Sequence, residues 1–217
     1  MNVIFDMDGV LFDSERVFIE AFQKLAPKYG LGDVRQACYD CIGVNYEKSR
    51  EIFCSYHGSD FDFDAYRDDV SSELADVVFD VKPGVYEIFE WLKNKCKDSR
   101  IALASSTRQK RVLQMLDSAK LTGYFDAIVC GNMVRNSKPH PEIFLTAAQS
   151  IGAEPRSCYV VEDSYNGIRA AHAAGMHPIM VPDIKQPDKE IRDLAEIVVP
   201  SLFEAKAYLG EQLNCIG

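Results

Sequence analysis

Six short apolar runs along the chain have the character of β-strands. They cover residues 3–5, 101–104, 127–129, 159–161, 178–181 and 197–199. Most of these runs are continuously apolar rather than alternating, which is typical of strands that are covered on both faces. Helical patterns lie between most of the later runs. Because strands alternate with helices, the pattern predicts a parallel α/β sheet.

The predicted helices of this core show regular apolar stripes. One stripe falls within residues 85–92 and a second within residues 112–116. A third helix is predicted in HPEIFLTAAQSIG at 140–152, where Pro141 stands near the start and Gly152 just past the end. These are the positions at which proline and glycine favour helix boundaries.

No strand pattern is found between residues 14 and 81. The apolar positions there keep helical spacing, as in Phe18, Phe22, Leu25 and Tyr29. Residues 46–53 continue this spacing, and residues 63–79 predict one acidic amphipathic helix. We therefore expect a catalytic core of residues 1–13 and 82–217, interrupted by an all-helical cap of residues 14–81.

Composition and charge narrow the possible partners. The chain has 217 residues, of which 47% are hydrophobic and 26% charged, and its net charge is −9. An acidic surface repels nucleic acids and anionic membranes, so both are poor partners. No stretch approaches the ~20 apolar residues of a membrane helix, and the seven cysteines are scattered. We expect a cytoplasmic monomer with reduced thiols.

Polar side chains follow four of the predicted strands. The groups in chain order are Asp6 and Asp8, then Ser105, Ser106 and Thr107, then Lys138, and finally Glu162 with Asp163. Ligands of an open parallel sheet bind beyond the carboxyl ends of its strands, so these groups should share one crevice. Clustered carboxylates need a cation, and hard oxygen ligands suit Mg²⁺.

This set of groups has a specific chemistry. An ionised aspartate can attack phosphorus and form an aspartyl-phosphate. A second carboxyl two residues further on lies on the same side of an extended chain, where it can act as general acid and then as general base. Lys138 and the Ser105 hydroxyl would hold the oxygens of the transferred phosphoryl group.

Each group also has an ordinary explanation when it is taken alone. The two aspartates could lie in a solvated turn, and Ser106 or Thr107 could cap a helix. Lys138 could be an exposed lysine before a proline, and Glu162 with Asp163 could favour a helix N-terminus. Their joint occurrence, in order, at four successive strand ends favours a reactive site.

Four segments resemble the motifs of the haloacid dehalogenase-like hydrolase superfamily. They are FDMDGVLFDSE, LASS, SKPHPEIF and EDSYNGIRAA. The resemblance is closest to the β-phosphoglucomutase-like and sugar-phosphate phosphatase branch. It implies a Rossmann-like core with a helical cap inserted after the first motif.

The resemblance also implies roles for individual residues. By position, Asp6 is the nucleophile and Asp8 the general acid and base. Ser105, Ser106 and Lys138 would bind phosphate. Asp163 would bind Mg²⁺ together with Asp6 and the backbone carbonyl of Asp8, and Glu162 would support the ion through water.

Two activities of this branch remain open. The β-phosphoglucomutases carry a histidine ten residues after the general acid and an arginine three residues after a Gly-Val pair in the cap. Phe18 and Tyr46 stand at these positions here. The departures favour a Mg²⁺-dependent phosphatase acting on a small phosphorylated metabolite, such as a sugar phosphate, with a phosphosugar mutase as the alternative.

A non-enzymatic phosphoacceptor receiver module is a third possibility. Such modules also combine an acidic cluster, a hydroxyl and a lysine on a parallel α/β fold. They need only ~120 residues, which leaves the helical insertion without a purpose, and they need no carboxyl at the position of Asp8.

Residues of the cap should select the substrate when the cap closes over the site. The candidates are Asn45, Tyr46, Glu47 and Arg50, with Arg16 and Arg108 behind them. Any one of them could also be an ordinary polar residue of a helix surface.

The cap also contains a possible second metal site. Cys38, Cys41, Cys54 and His57 have the spacing of zinc ligands. Each pair is also spaced i, i+3 within a predicted helix, where cysteine commonly fills the core. We favour core filling.

Overall fold

A single parallel sheet forms the centre of the computed structural model, which describes residues 1–95 and 99–214. Its strands are β1 (Asn2–Phe5), β2 (Arg100–Ser105), β3 (Ala127–Cys130), β4 (Cys158–Glu162), β5 (His177–Met180) and β6 (Ile197–Val198). The spatial order is β3-β2-β1-β4-β5-β6, and every neighbouring pair is parallel. The predicted α/β fold and its six strands are confirmed.

Four helices follow β1 before the chain returns to the sheet. They are α1 (Glu15–Leu25), α2 (Arg35–Asp40), α3 (Tyr46–His57) and α4 (Phe63–Glu73). Their apolar faces form a cluster of their own, in which Phe53, Phe63 and Tyr66 are fully buried. The Tyr66 hydroxyl donates to the Phe22 carbonyl oxygen at 2.5 Å and so joins α4 to α1. The helical insertion therefore has its own packed interior.

The remaining helices cover the two faces of the sheet. They are α5 (Val85–Lys95), α6 (Gln109–Ser118), α7 (Glu142–Ser150), α8 (Tyr165–Ala173), α9 (Lys189–Leu194) and α10 (Leu202–Asn214). Successive strand side chains point to opposite faces. Val3 and Phe5 accordingly pack with α5, α6 and α10, whereas Ile4 packs with α7 and α8.

The sheet order places a crevice at the end of β1. The chain builds β2 and β3 on one side of β1, and β4, β5 and β6 on the other. Such a reversal of strand order opens a ligand crevice at the carboxyl ends of the central strands. The residues directly after β1, β2 and β4 therefore face one another.

Two antiparallel chain segments connect the sheet to the four-helix insertion. Phe12 pairs with Val81, and the Lys82 amide donates to the Leu11 carbonyl oxygen at 2.9 Å. The boundaries predicted between residues 13 and 14 and between 81 and 82 fall where these two antiparallel segments pair. The division into two domains stays a prediction.

Two helix ends differ from the sequence prediction. The helix predicted over 63–79 ends at Glu73, because the chain must leave the helix to pair with Phe12 beyond it. The β-branched Val77 and Val78 also have low helix propensity. The first cap helix ends at Leu25, and the following turn, Ala26–Tyr29, is a 3-10 helix.

None of the helices among the described residues has the length and apolar character needed to cross a membrane.

The aromatic packing on one face of the sheet predicts a large contribution to stability. Phe89 is fully buried and contacts the Phe5 ring at a centroid distance of 4.9 Å. We expect Phe89→Ala to lower the free energy of unfolding by about 3–5 kcal/mol, because it leaves a cavity in the core. Urea denaturation measures this change. Phe203→Ala, at a side chain 42% exposed, is the matched control and should change stability by about 0.5 kcal/mol or less.

Candidate active site

Asp6 occupies the centre of the crevice. It follows β1 directly, and its backbone amide still donates to the Val161 carbonyl oxygen of β4 at 3.0 Å. Its side chain is buried with only 6% exposure. Burial raises the pKa of Asp6 to about 7, although the neighbouring Lys138 ammonium opposes this effect. A positive charge close to Asp6 therefore decides whether it is ionised.

Lys138 supplies one such charge from the loop after β3. Its ammonium group donates to Asp6 Oδ1 at 2.5 Å, to Glu162 Oε1 at 2.7 Å and to the Ala104 carbonyl oxygen at 3.3 Å. The side chain is almost completely buried. Burial alone would lower the pKa of Lys138, but the two adjacent carboxylates outweigh it and raise the pKa. Lys138 is therefore a charged, buried part of the site rather than an exposed lysine.

Asp8 opens on the same crevice and is held by hydroxyl groups. Ser14 Oγ donates to Asp8 Oδ1 at 2.6 Å, and Thr107 Oγ1 donates to Asp8 Oδ2 at 2.8 Å. Ser105 Oγ lies 3.5 Å from Asp8 Oδ2 and accepts the backbone amide of Thr107 at 3.1 Å. These bonds fix the direction of the Asp8 carboxylate.

Ser106 and Thr107 do not cap a helix, although the sequence left this possibility open. The residue before α6 is Arg108, and it makes no capping bond with its side chain. Thr107 Oγ1 instead donates to the Asp8 carboxylate, and Ser106 Oγ donates to the Gly43 carbonyl oxygen of the cap at 3.2 Å.

Three carboxylates form a compact acidic cluster. Oxygen atoms of Asp6, Glu162 and Asp163 lie within 4.8 Å of one another, and all three residues are buried. Burial raises the pKa of Asp163 well above its ordinary value. The set consists of hard oxygen donors at the close spacing that Mg²⁺ requires, so the cluster fits a divalent cation.

Two glycines make this crowding possible. A Cβ atom on Gly9, whose φ is +76°, would lie 2.3 Å from Asp163 Oδ2. A Cβ atom on Gly167, at the start of α8, would lie 1.7 Å from Glu162 Oε1. Both positions bring the backbone so close to a carboxylate that no larger residue fits without displacing it.

A second acidic group lies beside the first and shares Asp163. Oxygen atoms of Glu15 and Asp183 lie within 4.8 Å of each other and of an Asp163 oxygen. Asp183 pairs with Arg16 at 3.1 Å and with Lys82 at 2.9 Å. Asp183 thus joins the cap helix α1 to the core.

The cap is closed over the crevice. The cap segment 39–45 accepts or donates a hydrogen bond at four points, to the core side chains Ser106, Ser137, Asn166 and Lys185. These side chains follow β2, β3, β4 and β5 respectively. A cavity of about 140 Å³ remains between cap and core.

The cavity has an acidic floor and a largely apolar roof. Asp6, Asp8, Asp163, Ser106 and Thr107 line its core side. The cap contributes Glu15, Arg67 and a group of apolar residues that includes Phe18, Phe22, Phe53 and Phe63. The predicted reactive carboxylates therefore face a small, partly open cavity between cap and core.

The six predicted specificity residues do not line this cavity. Asn45 caps α3 through its side chain, which accepts the Lys48 amide at 3.0 Å, and Glu47 is exposed. Arg50 pairs with Asp64 at 2.5 Å, and Asp64 also accepts the Tyr46 hydroxyl at 2.7 Å.

The side chains of the two remaining candidates also make contacts outside the cavity. Arg108 is exposed and lies over the Tyr46 ring at 4.2 Å. Arg16 pairs with Asp183. The part of these six residues in substrate selection stays a prediction.

Sequence reasoning missed three residues of the site, which are Ser14, Glu15 and Arg67. Thr107 is expected in the crevice, but its hydrogen bond to Asp8 is not. Ser14 and Glu15 belong to the first motif and could have been noticed there. No sequence pattern indicates that Arg67 belongs to the site, because an arginine in an acidic amphipathic helix is typical of a surface position.

The cysteine-rich part of the cap forms no cluster of metal-ligating atoms. Within residues 1–95 and 99–214, the groups of three or more such atoms are the two acidic ones. The Cys41 thiol donates to the Ser49 carbonyl oxygen at 3.9 Å, and the Cys54 thiol donates to the Phe61 carbonyl oxygen at 3.8 Å. Two further cysteines, Cys96 and Cys215, lie outside the described residues.

Comparisons with known proteins identify the protein family to which the chain belongs. The profile of the family described as haloacid dehalogenase-like hydrolase matches residues 3–181. The phosphorylated carbohydrates phosphatase of Thermotoga maritima is 34% identical over 180 residues, which is 82% of either chain. Hexitol phosphatase B of Escherichia coli (strain K12) is 31% identical over 221 residues, which is 97% of either chain. The chain belongs to the haloacid dehalogenase-like hydrolase family.

A solved structure supports the same conclusion for the whole fold. The β-phosphoglucomutase of Clostridium difficile superimposes with a TM-score of 0.82 at 26% identity, covering 98% of this chain and 96% of that chain. The resemblance carried by the four motifs is confirmed, and so is the expectation of a hydrolase with phosphatases among its relatives.

Gly167 tests how far the acidic cluster depends on close backbone approach. In Gly167→Ala the new methyl group must push Glu162 away from Lys138, because it would otherwise lie 1.7 Å from Glu162 Oε1. We expect the free energy of unfolding to fall by about 1–3 kcal/mol. Affinity for a divalent cation should fall about 10–100-fold, as measured by calorimetric titration.

Gly123→Ala is the matched control, since a Cβ atom there meets no other atom within 4 Å. It should leave both quantities unchanged. Unaltered cation affinity in Gly167→Ala would show that Glu162 does not support the ion.

Proposed function

We propose that this protein is a Mg²⁺-dependent phosphatase that hydrolyses small phosphate esters, above all sugar phosphates, through an aspartyl-phosphate intermediate. One observation carries the proposal. The carboxylates of Asp6 and Asp8 line the same cavity between cap and core, with Lys138 and Asp163 beside them. The phosphatases of carbohydrate and hexitol phosphates among its relatives support the choice of ester.

In the proposed reaction, Asp6 acts as the nucleophile. Lys138 binds Oδ1 of its carboxylate, and no described residue donates a hydrogen bond to Oδ2. An oxygen of Asp6 forms a bond to phosphorus while the bond between phosphorus and the ester oxygen breaks. The buried Lys138 ammonium favours the ionised form of Asp6 and would offset the negative charge of the phosphoryl group.

In the proposed reaction, Asp8 acts as the general acid and then as the general base. It gives a proton to the departing ester oxygen, which leaves as an alcohol. It then takes a proton from water, whose oxygen attacks phosphorus and releases phosphate and the Asp6 carboxylate. Ser14 and Thr107 hold the Asp8 carboxylate in one orientation during both steps.

The carboxylates of Asp6 and Asp163 and the backbone carbonyl of Asp8 would hold Mg²⁺, and Glu162 would assist through water. No backbone amide of the described residues donates to the Asp8 carbonyl oxygen. When bound, the ion supplies positive charge for the clustered carboxylates and for the phosphoryl oxygens. Burial is the largest cause of the raised pKa values of Asp6 and Asp163, and neighbouring carboxylates add to it, so a bound cation would favour their ionised forms.

The alternative of a phosphosugar mutase has support from the likeness to the β-phosphoglucomutase of Clostridium difficile. A mutase must keep water from the phosphoenzyme and return the phosphoryl group to a sugar. Phe18 occupies the cavity wall where the resemblance would require a histidine, and its ring stacks on Phe79 at 5.7 Å. An apolar ring at this position can neither donate nor accept the proton of a sugar hydroxyl.

The proposal is tested by measuring phosphate released from a panel of esters with Mg²⁺ and with EDTA. Release should need the metal and should vanish in Asp6→Asn, because an amide cannot form the phosphoenzyme. Asp8→Asn should lower kcat by about 10²–10⁴-fold and should accumulate phosphoenzyme detectable by acid-quenched mass spectrometry. Asp193→Asn, on the exposed side of α9, is the matched control.

Undiminished release in Asp6→Asn would remove Asp6 from the scheme. Absence of release from every ester, together with conversion of β-glucose 1-phosphate in the presence of its bisphosphate, would establish the mutase instead.

A further inference from the structure

The cavity contains two polar groups of the cap that the protein itself does not satisfy. The Arg67 guanidinium lies over the rings of Phe18 and Phe22, at 5.0 and 5.4 Å from their centroids. Within residues 1–95 and 99–214 it makes no hydrogen bond and no ion pair. Glu15 Oε2 is buried and also has no hydrogen-bond partner. Both side chains line the cavity above the reactive carboxylates.

Arg67 differs in this respect from the other arginines near the cap. Arg50 pairs with Asp64 at 2.5 Å, and Arg111 donates to the Leu74 carbonyl oxygen at 3.1 Å. Arg108 is exposed to solvent. Burial lowers the pKa of Arg67, but an arginine stays charged in proteins. Arg67 is partly exposed within the cavity. A ligand that displaces water from its guanidinium without supplying a hydrogen-bond acceptor leaves a cation unpaired, whereas a ligand that supplies the acceptor gains binding energy there.

We propose that Arg67 and Glu15 bind hydroxyl groups of the leaving group and so select polyhydroxylated phosphate esters. The inference rests on the proposed phosphatase activity and assigns the choice of substrate to two residues. A hydroxyl both donates and accepts hydrogen bonds. Neighbouring hydroxyls of a polyol chain can therefore accept from Arg67 and donate to Glu15 at the same time.

Other leaving groups match this pair less well. A carboxylate would satisfy Arg67, but it would approach Glu15, Asp8 and Asp163, all of which line the same cavity. An alkyl group would leave both polar groups buried without partners. Sites built around hydroxyl recognition reject analogues that lack the hydroxyl, because their buried polar groups are then unpaired.

The aromatic surroundings prepare Arg67 for this role. The guanidinium lies over the rings of Phe18 and Phe22, and Phe22 is itself packed edge-on against Tyr66 at 5.2 Å. Cation–π attraction holds the guanidinium beside these rings without using its N–H groups, which stay available to a ligand. A lysine cannot present the same planar set of donors.

The test compares kcat/KM for sorbitol 6-phosphate, phosphoglycolate and n-propyl phosphate, which carry a polyol, a carboxylate and an alkyl group. The wild-type enzyme should prefer sorbitol 6-phosphate. Arg67→Met keeps an unbranched side chain over the rings, and it should lower the ratio of sorbitol 6-phosphate to n-propyl phosphate about 10–100-fold. The loss should appear mainly in KM. Arg67→Lys should recover part of it, and Glu15→Gln should also lower the ratio.

Arg35→Met is the matched control, because the Arg35 side chain on α2 is 41% exposed and does not line the cavity. It should leave all three substrates unaffected. Binding of unphosphorylated sorbitol as an inhibitor gives a readout that does not depend on turnover, and its affinity should fall in Arg67→Met. Cation titration of Glu15→Gln separates a loss of substrate binding from a loss of Mg²⁺, since Glu15 lies close to Asp163.

The outcomes distinguish this inference from the proposed function. Hydrolysis of all three esters with a ratio that Arg67→Met and Arg67→Lys leave unchanged would overturn the inference and leave the phosphatase intact. A preference for phosphoglycolate that Arg67→Met abolishes would overturn the polyol assignment and make the pair a carboxylate site. Hydrolysis of no ester by the wild type would overturn the proposed function itself.

Discussion

The buried ammonium group of Lys138 is the interaction on which the geometry of the site depends. It belongs to the loop after β3, yet it binds Asp6 after β1, the Ala104 carbonyl oxygen within β2 and Glu162 at the end of β4. Three strand ends are thus joined through one charged group. Removing one partner of a buried ion pair typically destabilises a protein by about 3–5 kcal/mol. Lys138 therefore stabilises the fold as well as the negative charge of Asp6.

One lysine does not balance the charge of this crevice. Asp6, Asp163 and Glu15 all have raised pKa values, for which burial is the largest cause and neighbouring carboxylates an additional one. A protein that crowds carboxylates in this way, and that places Gly9 and Gly167 so that they fit, gains stability when a cation binds. Under the proposed function, the same cation would also offset the charge of a phosphate dianion. Binding of metal and binding of substrate would then depend on one electrostatic arrangement.

The core of the site was predictable from the sequence, whereas the cap was not. Asp6, Lys138 and Asp163 follow strands, and parallel topology alone brings strand ends together. In the cap, the choice between Arg50 and Arg67 depends on which helix face is turned to the core. Helical spacing gives no information on this. Asp64, one turn before Arg67 on α4, draws Arg50 away from the cavity, and no local pattern in the sequence indicates that pairing.

This division between core and cap has a consequence for how closure is controlled. Core side chains after four successive strands form hydrogen bonds with the cap segment 39–45. The hydrogen bonds that join the cap to the core therefore form without a ligand. In this arrangement the Arg67 guanidinium and Glu15 Oε2 have no hydrogen-bond partner among the described residues. A ligand that fills the cavity displaces water from both groups, which is unfavourable unless the ligand supplies hydroxyl groups. Under the proposed selection, a polyol phosphate therefore stabilises the closed arrangement of cap and core more than an alkyl phosphate does. Selection of the substrate and assembly of the reactive site then follow from the same burial of polar groups.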